Sequence, residues 1–238
     1  MIFKRDEDRK NVALFSVEGV LRRVADGVGG WRQWGVDPGV FAESLMRACD
    51  RLVSAGRFTP RKPAAILAAA YQELTQEKRH IIGSSTACVI ALDRERGWLY
   101  AANIGDSGFR VVRNGAFIHR SQEQQHYFNT PFQLSLPPPG SRANILSDSP
   151  ERADTTELKV EPGDVILLCS DGVLDNVPES LLLPQLASLV HTDPDPCLLQ
   201  KTANSIALQA RSLAFDSNFL SPFAMAARKN GIAANGED

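Results

Sequence analysis

Three turns carrying an acid, each close to a segment that can be a buried strand, constrain this chain more than any other feature. The first is Val24-Ala25-Asp26-Gly27-Val28-Gly29-Gly30-Trp31 and the last is Cys169-Ser170-Asp171-Gly172-Val173-Leu174-Asp175-Asn176; between them lies Asn103-Ile104-Gly105-Asp106-Ser107-Gly108. A strand running into Asp-Gly aims a carboxylate, and the carbonyl of the glycine after it, at one place. Hard cations such as Mg²⁺ and Mn²⁺ take oxygen ligands, and two of them side by side form a phosphoryl-transfer site. A single Asp-Gly is an ordinary turn. The ordered set of three carries the signal.

The pattern around these turns predicts the elements that would position them. Asp37-Pro38 reads as a helix start, with Asp at the N-cap and Pro at the first helical position. Phe41, Leu45, Ala48 and Leu52 then form one apolar face that ends near Gly56. A second helix is expected from Lys62 to Glu77, with Ile66, Ala70, Tyr71 and Leu74 inward. Ser85 to Asp93 is apolar on both faces, as a strand covered on both sides is. Trp98 to Ile104 and Phe109 to Arg113 follow as strands, and Asn114-Gly115 is a hairpin signal into Ala116 to Arg120. Residues 121–150 read as a long loop region, with Pro137-Pro138-Pro139-Gly140 excluding helix and central strand. Gly163 to Ser170 is another buried strand, and helices are expected over Glu179–Val190 and Pro196–Ala214. Clustered strands with paired helices predict an α+β fold rather than alternating βαβ units.

Composition narrows the function classes. With 238 residues, 43% hydrophobic and 23% charged, the chain can bury a substantial core. A net charge of −2 gives no nucleic-acid footprint. The four cysteines, Cys49, Cys88, Cys169 and Cys197, show no CxxC pair and no zinc spacing. Cys88 and Cys169 lie in apolar runs and read as small core residues. There is no Cys-x5-Arg nucleophile motif and no apolar run long enough for a membrane span. Gly27-Val28-Gly29-Gly30 lacks the lysine of a phosphate-cradling P-loop, and its glycines are expected to let backbone approach a metal closely.

The chain resembles the metal-dependent serine/threonine protein phosphatases of the type 2C (PPM) family. The residues that carry the likeness are DGVGGW at 26–31, GSSTACVIALD at 83–93, GDSGF at 105–109 and HYFNTPFQL at 126–134. They look like the branch related to mitochondrial phosphatases of coenzyme Q metabolism. The resemblance implies two antiparallel sheets stacked as a sandwich, flanked by helical layers, with metals at one end. It implies that Asp26 bridges two Mn²⁺ or Mg²⁺ ions, that the Gly27 carbonyl binds one of them, that Asp171 binds the second, and that Asp106 helps hold a weaker third. A metal-activated water would then attack phosphorus directly in a phosphoserine or phosphothreonine protein. A monomer is expected, and mitochondrial location follows from the relatives, although Asp6-Glu7-Asp8 makes the N-terminus a poor transit peptide.

The likeness runs from about Val24 to Ile232 and departs from the family in three places. Val28 stands where many relatives have a histidine thought to protonate the leaving alcohol, which implies a slower or differently assisted step. Residues 1–23 do not match, so they are expected to be an atypical segment joined near Val24. Within them Glu7 or Asp8 is either a replacement ligand or part of a solvated acidic tail. Leu21-Arg22-Arg23-Val24 looks wrong for a strand buried on both faces, since each arginine would face one layer. Residues 233–238 read as a tail in place of a family Asp-Asp motif and final strand, leaving edge strands missing and a domain, 24–232, that is incomplete. Glu237 and Asp238 sit too near the terminus to serve as ligands. An inactive pseudophosphatase acting only as a binding module is therefore the alternative reading. A small-molecule phosphohydrolase has little support. Asp175-Asn176 read as caps of the following helix more than as ligands. His126, beside Tyr127-Phe128, invites a catalytic role but reads better as a packed or surface histidine. His80, His119 and His191 have no companions.

Overall fold

The computed structural model describes residues 12–15, 21–77, 81–141, 145–190 and 195–232. Glu7, Asp8, His80, His191, Glu237 and Asp238 lie outside them. In chain order come strands β1 (Val12–Phe15) and β2 (Leu21–Val24), a 3₁₀ helix (Gly29–Trp34), and helices α1 (Pro38–Ser54) and α2 (Pro63–Gln76). A run of strands follows: β3 (Gly83–Ser85), β4 (Ala87–Asp93), β5 (Trp98–Ile104), β6 (Gly108–Arg113) and β7 (Ala116–Arg120). The short strands β8 (Gln125–Tyr127), β9 (Thr130–Pro131) and β10 (Leu134–Leu136) precede β11 (Asp154–Lys159) and β12 (Val165–Cys169). Helices α3 (Asp171–Leu174), α4 (Glu179–Ala187), α5 (Pro196–Ala214) and α6 (Pro222–Lys229) end the described chain.

These elements form two compact units, 19–107 with 122–160, and 1–18 with 108–121 and 161–238. In the first unit β11-β5-β4-β2 make an antiparallel sheet. Helices α1 and α2 bury Phe41, Leu45, Leu67 and Ala70 with Ala87, Val89 and Ile104 from the strands. β4 is apolar on both faces because both are buried: Ala87, Cys88, Val89, Ile90, Ala91 and Leu92 are all at most 3% exposed. The second unit carries the sheet β1-β12-β6-β7. Val165, Leu167 and Cys169 of β12 pack with Leu182 and Leu186 of α4 and Ile206 and Ala210 of α5.

Local chemistry accounts for the boundaries. Asp37 Oδ1 accepts from Gly39 N at 2.9 Å ahead of Pro38, and Asp195 Oδ1 accepts from Cys197 N at 2.9 Å ahead of Pro196. Both are N-caps followed by proline at the first helical position. Asn114 and Gly115, with φ of 51° and 77°, supply the two left-handed residues that close the β6–β7 hairpin.

Four expectations change. Among the described residues β2 lies at the end of its sheet, paired with β4, and Leu21 and Arg22 stay half-buried, so the strand is not enclosed on both faces. Its Arg23 is buried but compensated: the guanidinium pairs with Asp50 and Nε donates to the Met46 carbonyl at 3.0 Å. The 121–150 region is not all loop, since β8, β9 and β10 are strands of two or three residues, too short to show a period, and β10 pairs with β3. The sequence reading missed β11, whose alternating exposure belongs to a polar sheet edge, and α6, which starts at Ser221-Pro222 with Ser221 Oγ accepting from Ala224 N at 3.1 Å. Neither Asp175 nor Asn176 is the N-cap residue of α4, which is Pro178; Asn176 Nδ2 donates to the Gly172 carbonyl at 3.1 Å, and Asp175 ends α3.

Candidate metal centre

The first acid turn is laid against the β3–β4 junction. Thr86 N donates to Asp26 O at 2.9 Å and Val28 N donates to Ser84 O at 3.0 Å, which makes Gly27 and Ser85 an antiparallel bridge pair. The bridge's two hydrogen bonds are carried by the neighbours of Gly27, so the Gly27 carbonyl takes no part in the ladder. Gly27 is required for a packing reason: a Cβ there would lie 2.2 Å from the Pro38 carbonyl oxygen, at the start of α1. After it the chain enters the 3₁₀ helix, where buried Trp31 donates from Nε1 to Ser84 Oγ at 2.7 Å.

The second acid turn is joined to the first by side chains. Asp26 N donates to Thr86 Oγ1 at 3.3 Å, and Thr86 Oγ1 lies 2.7 Å from Ser107 Oγ, next to Asp106. Gly105 turns with φ +96°, and a Cβ would fall 2.6 Å from Thr86 Cγ2 and 2.7 Å from the Phe132 carbonyl oxygen. Asn103, at the end of β5, donates from Nδ2 to the Gly105 carbonyl at 3.2 Å. The β4–β5 ladder, with Ala87 opposite Ile104, holds Thr86 beside this turn. Asp106 is 7% exposed, whereas Asp26 is half-buried.

These groups suit a hard divalent ion. Asp26 offers a carboxylate that water still reaches, Gly27 a carbonyl outside the ladder, and Asp106 a second carboxylate. Ser85 Oγ, across the bridge from Gly27, is buried without a hydrogen-bond partner among the described residues. Among those residues no three His, Cys, Asp or Glu side chains gather around one point. Mg²⁺ commonly keeps several waters and takes only one or two carboxylates, so this count does not oppose it.

The third acid turn belongs to the second unit. β12 delivers Ser170 and Asp171 into α3, where Gly172 N donates to Asp171 Oδ1 at 2.5 Å and Asp175 N donates to the Asp171 carbonyl at 2.7 Å. Asp171 is half-buried. Two residues earlier, burial pushes the Cys169 thiol up to about 12, and Cys49 is pushed to about 12 for the same reason. Neither is a thiolate near neutral pH, which rules both out as nucleophiles. Of the four thiols only Cys197 is exposed. A thiol reagent is expected to label one cysteine per folded chain rapidly and the other three only on unfolding; fast labelling of two or more in the native protein would contradict the burial.

The histidines hold no shared site among the described residues. His119 stacks on Phe109 with ring centroids 4.9 Å apart. His126 is a surface histidine that stacks on Phe132 at 4.3 Å and lies 2.9 Å from Asp148 Oδ2 through Nε2. The residues that sequence reasoning missed are Thr86, Ser107, Gln133 and Asp148. Thr86, Ser107 and Gln133 lie in the matched segments 83–93, 105–109 and 126–134, but a hydroxyl or amide that braces a turn has no pattern of its own, and Asp148 lies outside every matched segment.

The family model of the stage II sporulation protein E matches residues 20–206. The protein phosphatase PTC7 homologues of Danio rerio and Homo sapiens are each 53% identical over 213 residues, spanning 90% of this chain and 71% and 69% of theirs. This chain belongs to the PTC7-type protein phosphatases of the PPM family. The PTC7 homologue fig of Drosophila melanogaster is 45% identical over 213 residues, 90% of this chain and 67% of its own. Among solved structures, the photosystem II phosphatase PBCP superposes with a TM-score of 0.75 at 28% identity, over 92% of this chain and 79% of that one. The catalytic domain of the serine/threonine phosphatase PstP, solved in complex with two manganese ions, gives 0.58 at 17% identity over 88% of each chain and shares the fold. The α+β fold expected from the strand and helix pattern is the PPM-type fold.

Proposed function

We propose that this chain is a Mn²⁺- or Mg²⁺-dependent phosphatase of phosphoserine and phosphothreonine proteins, working as a monomer through a domain spanning 24–232. The observation that carries the activity is the 53% identity to named protein phosphatases. The residue assignment is supported by the linked turns of the first unit, where Asp26 and Asp106 are tied through Thr86 and Ser107. In this reading Asp26 and the Gly27 carbonyl are oxygen donors to a pair of ions, Asp171 is a donor to the second, and Asp106 serves a weaker third. The two manganese ions of the PstP structure support the count. Such ions supply a lowered water pKa and compensate charge on the transferring phosphoryl group.

The chain's own groups do the rest. The two backbone bonds on either side of Gly27 fix where its carbonyl points and hold the Asp26 backbone in place, so little backbone reordering accompanies binding of a cation. The resemblance implies direct attack of water with no covalent enzyme intermediate, and the buried Cys49 and Cys169 thiols do not compete with it as nucleophiles. Val28 supplies no proton to the leaving alcohol, which implies a slower or differently assisted step. Mitochondrial residence is part of the proposal through the resemblance, and is checked by fractionating cells that express the whole chain.

The test is phosphate release from a phosphothreonine peptide by metal-stripped protein, before and after Mn²⁺ is restored. Turnover only with Mn²⁺ is expected. Folded protein that releases no phosphate at any Mn²⁺ concentration would sink the enzyme reading and leave the binding-module alternative.

A further inference from the structure

The segment around His126 to Leu134 plays no part in the site as described, yet it touches both acid turns of the first unit. Gln133 is 7% exposed, and its Oε1 accepts from Ser84 Oγ at 2.6 Å. Ser84 Oγ in turn accepts from Trp31 Nε1 at 2.7 Å, and the Ser84 carbonyl accepts from Val28 N at 3.0 Å. Ser84 thus grips the chain just after Asp26-Gly27 at two points. On the other side, Gln124 N donates to the Gly105 carbonyl at 2.9 Å, Phe132 N donates to the Gln124 carbonyl at 2.9 Å, and the Phe132 carbonyl fills the space a Gly105 side chain would need.

What holds Gln133 is Asp148, whose side chain is 2% exposed. Asp148 Oδ2 accepts from Gln133 N at 3.0 Å, and Asp148 N donates to the Gln133 carbonyl at 2.7 Å. The same carboxylate receives Arg152 Nη1 on Oδ1 at 3.0 Å and meets His126 Nε2 at 2.9 Å. Phe132 lies between those partners, 4.3 Å from the His126 ring and 4.3 Å from the Arg152 guanidinium carbon. A buried carboxylate held by three neighbours from different parts of the segment gives the cluster one well-defined arrangement.

We propose that Asp148 is a positioning residue for the candidate metal centre, acting through Gln133 and Ser84 on the loop that carries Asp26 and Gly27. The proposal rests on reading Asp26 and Gly27 as metal donors. A carboxylate is required because an Asn at 148 has one acceptor oxygen and turns an amide toward a donor, which leaves a buried group unmet and lets Gln133 shift. Outer groups that orient metal ligands typically change metal affinity 10- to 100-fold.

The experiment titrates Mn²⁺ alone into metal-stripped full chain by calorimetry, for wild type, Asp148→Asn, Gln133→Met, Asp26→Asn and Asp164→Asn. Gln133→Met cuts the link to Ser84 while leaving the Asp148 cluster, so it stands if Asp148→Asn does not fold. Asp164 is the matched control: it is a buried acid paired with Arg113 at 2.7 Å in the second unit, and its loss is expected to lower the melting temperature. Mn²⁺ affinity about tenfold weaker in Asp148→Asn and Gln133→Met, and unchanged in Asp164→Asn, is the expected result. In the same two variants kcat falls while KM for the peptide stays. Wild-type affinity in folded Gln133→Met, or equal weakening in Asp164→Asn, would overturn the positioning role. Wild-type affinity in Asp26→Asn would instead overturn the donor reading beneath it.

Discussion

Asp26→Asn is expected to lower Mn²⁺-dependent phosphopeptide hydrolysis by about 100- to 1000-fold. Charge compensation by a bound ion stabilises a phosphoryl-transfer transition state by several kcal/mol, and each ~1.4 kcal/mol is a factor of ten in rate. Asn keeps the shape of the side chain and removes the charge that holds the ion. Because Asp26 is half-buried and its backbone bonds to Thr86 survive the change, the folded state is expected to lose no more than about 1 kcal/mol. Asp171→Asn should fall in the same range, whereas Asp106→Asn, at the weaker position, should lose less. Initial rates at saturating peptide across a Mn²⁺ series measure this. Activity in Asp26→Asn within tenfold of wild type at all Mn²⁺ concentrations would remove Asp26 from the site.

Gly105→Ala is expected to destabilise the protein by about 2–6 kcal/mol, a large part of the ~5–15 kcal/mol typical of a domain. Two penalties add. A side chain at φ +96° costs on the order of 1–3 kcal/mol. Forcing a methyl group within 2.7 Å of both Thr86 and the Phe132 carbonyl oxygen adds about 1–3 kcal/mol, because one of the two obstacles is backbone that cannot rotate away. Gly29→Ala is the control: nothing lies within 4 Å of its Cβ, and a change within about 0.5 kcal/mol is expected. Urea denaturation of the three proteins compares them directly. A Gly105→Ala midpoint equal to wild type would mean that the turn relaxes freely and that Thr86 and Phe132 do not brace Asp106.

Much of this fold was legible because its signals are local. The helix beginning at Pro38 shows in Asp37-Pro38 and in Phe41, Leu45, Ala48 and Leu52, all buried as their spacing requires. The β6–β7 hairpin shows in Asn114-Gly115, since few other pairs adopt two left-handed residues in succession. β11 was not legible, because Thr155, Glu157 and Lys159 are exposed along a sheet edge and only one face contributes a pattern. Arg22-Arg23 misled for a related reason. Whether a strand is central or at an edge depends on which strand pairs beside it, and that partner, β4, lies far along the chain.

The sequence by itself determined where the acids stand: Asp26, Asp106 and Asp171 each lie two residues past the end of a strand, and strand ends are written in adjacent residues. Only the tertiary structure decided what surrounds them. Gly27 is glycine because of Pro38, Gly105 because of Thr86 and Phe132, and the loop after Asp26 is gripped by Ser84, Gln133 and Asp148. Those contacts join residues tens of positions apart, and hydrogen bonds of that kind follow from how strands and loops pack rather than from any local period.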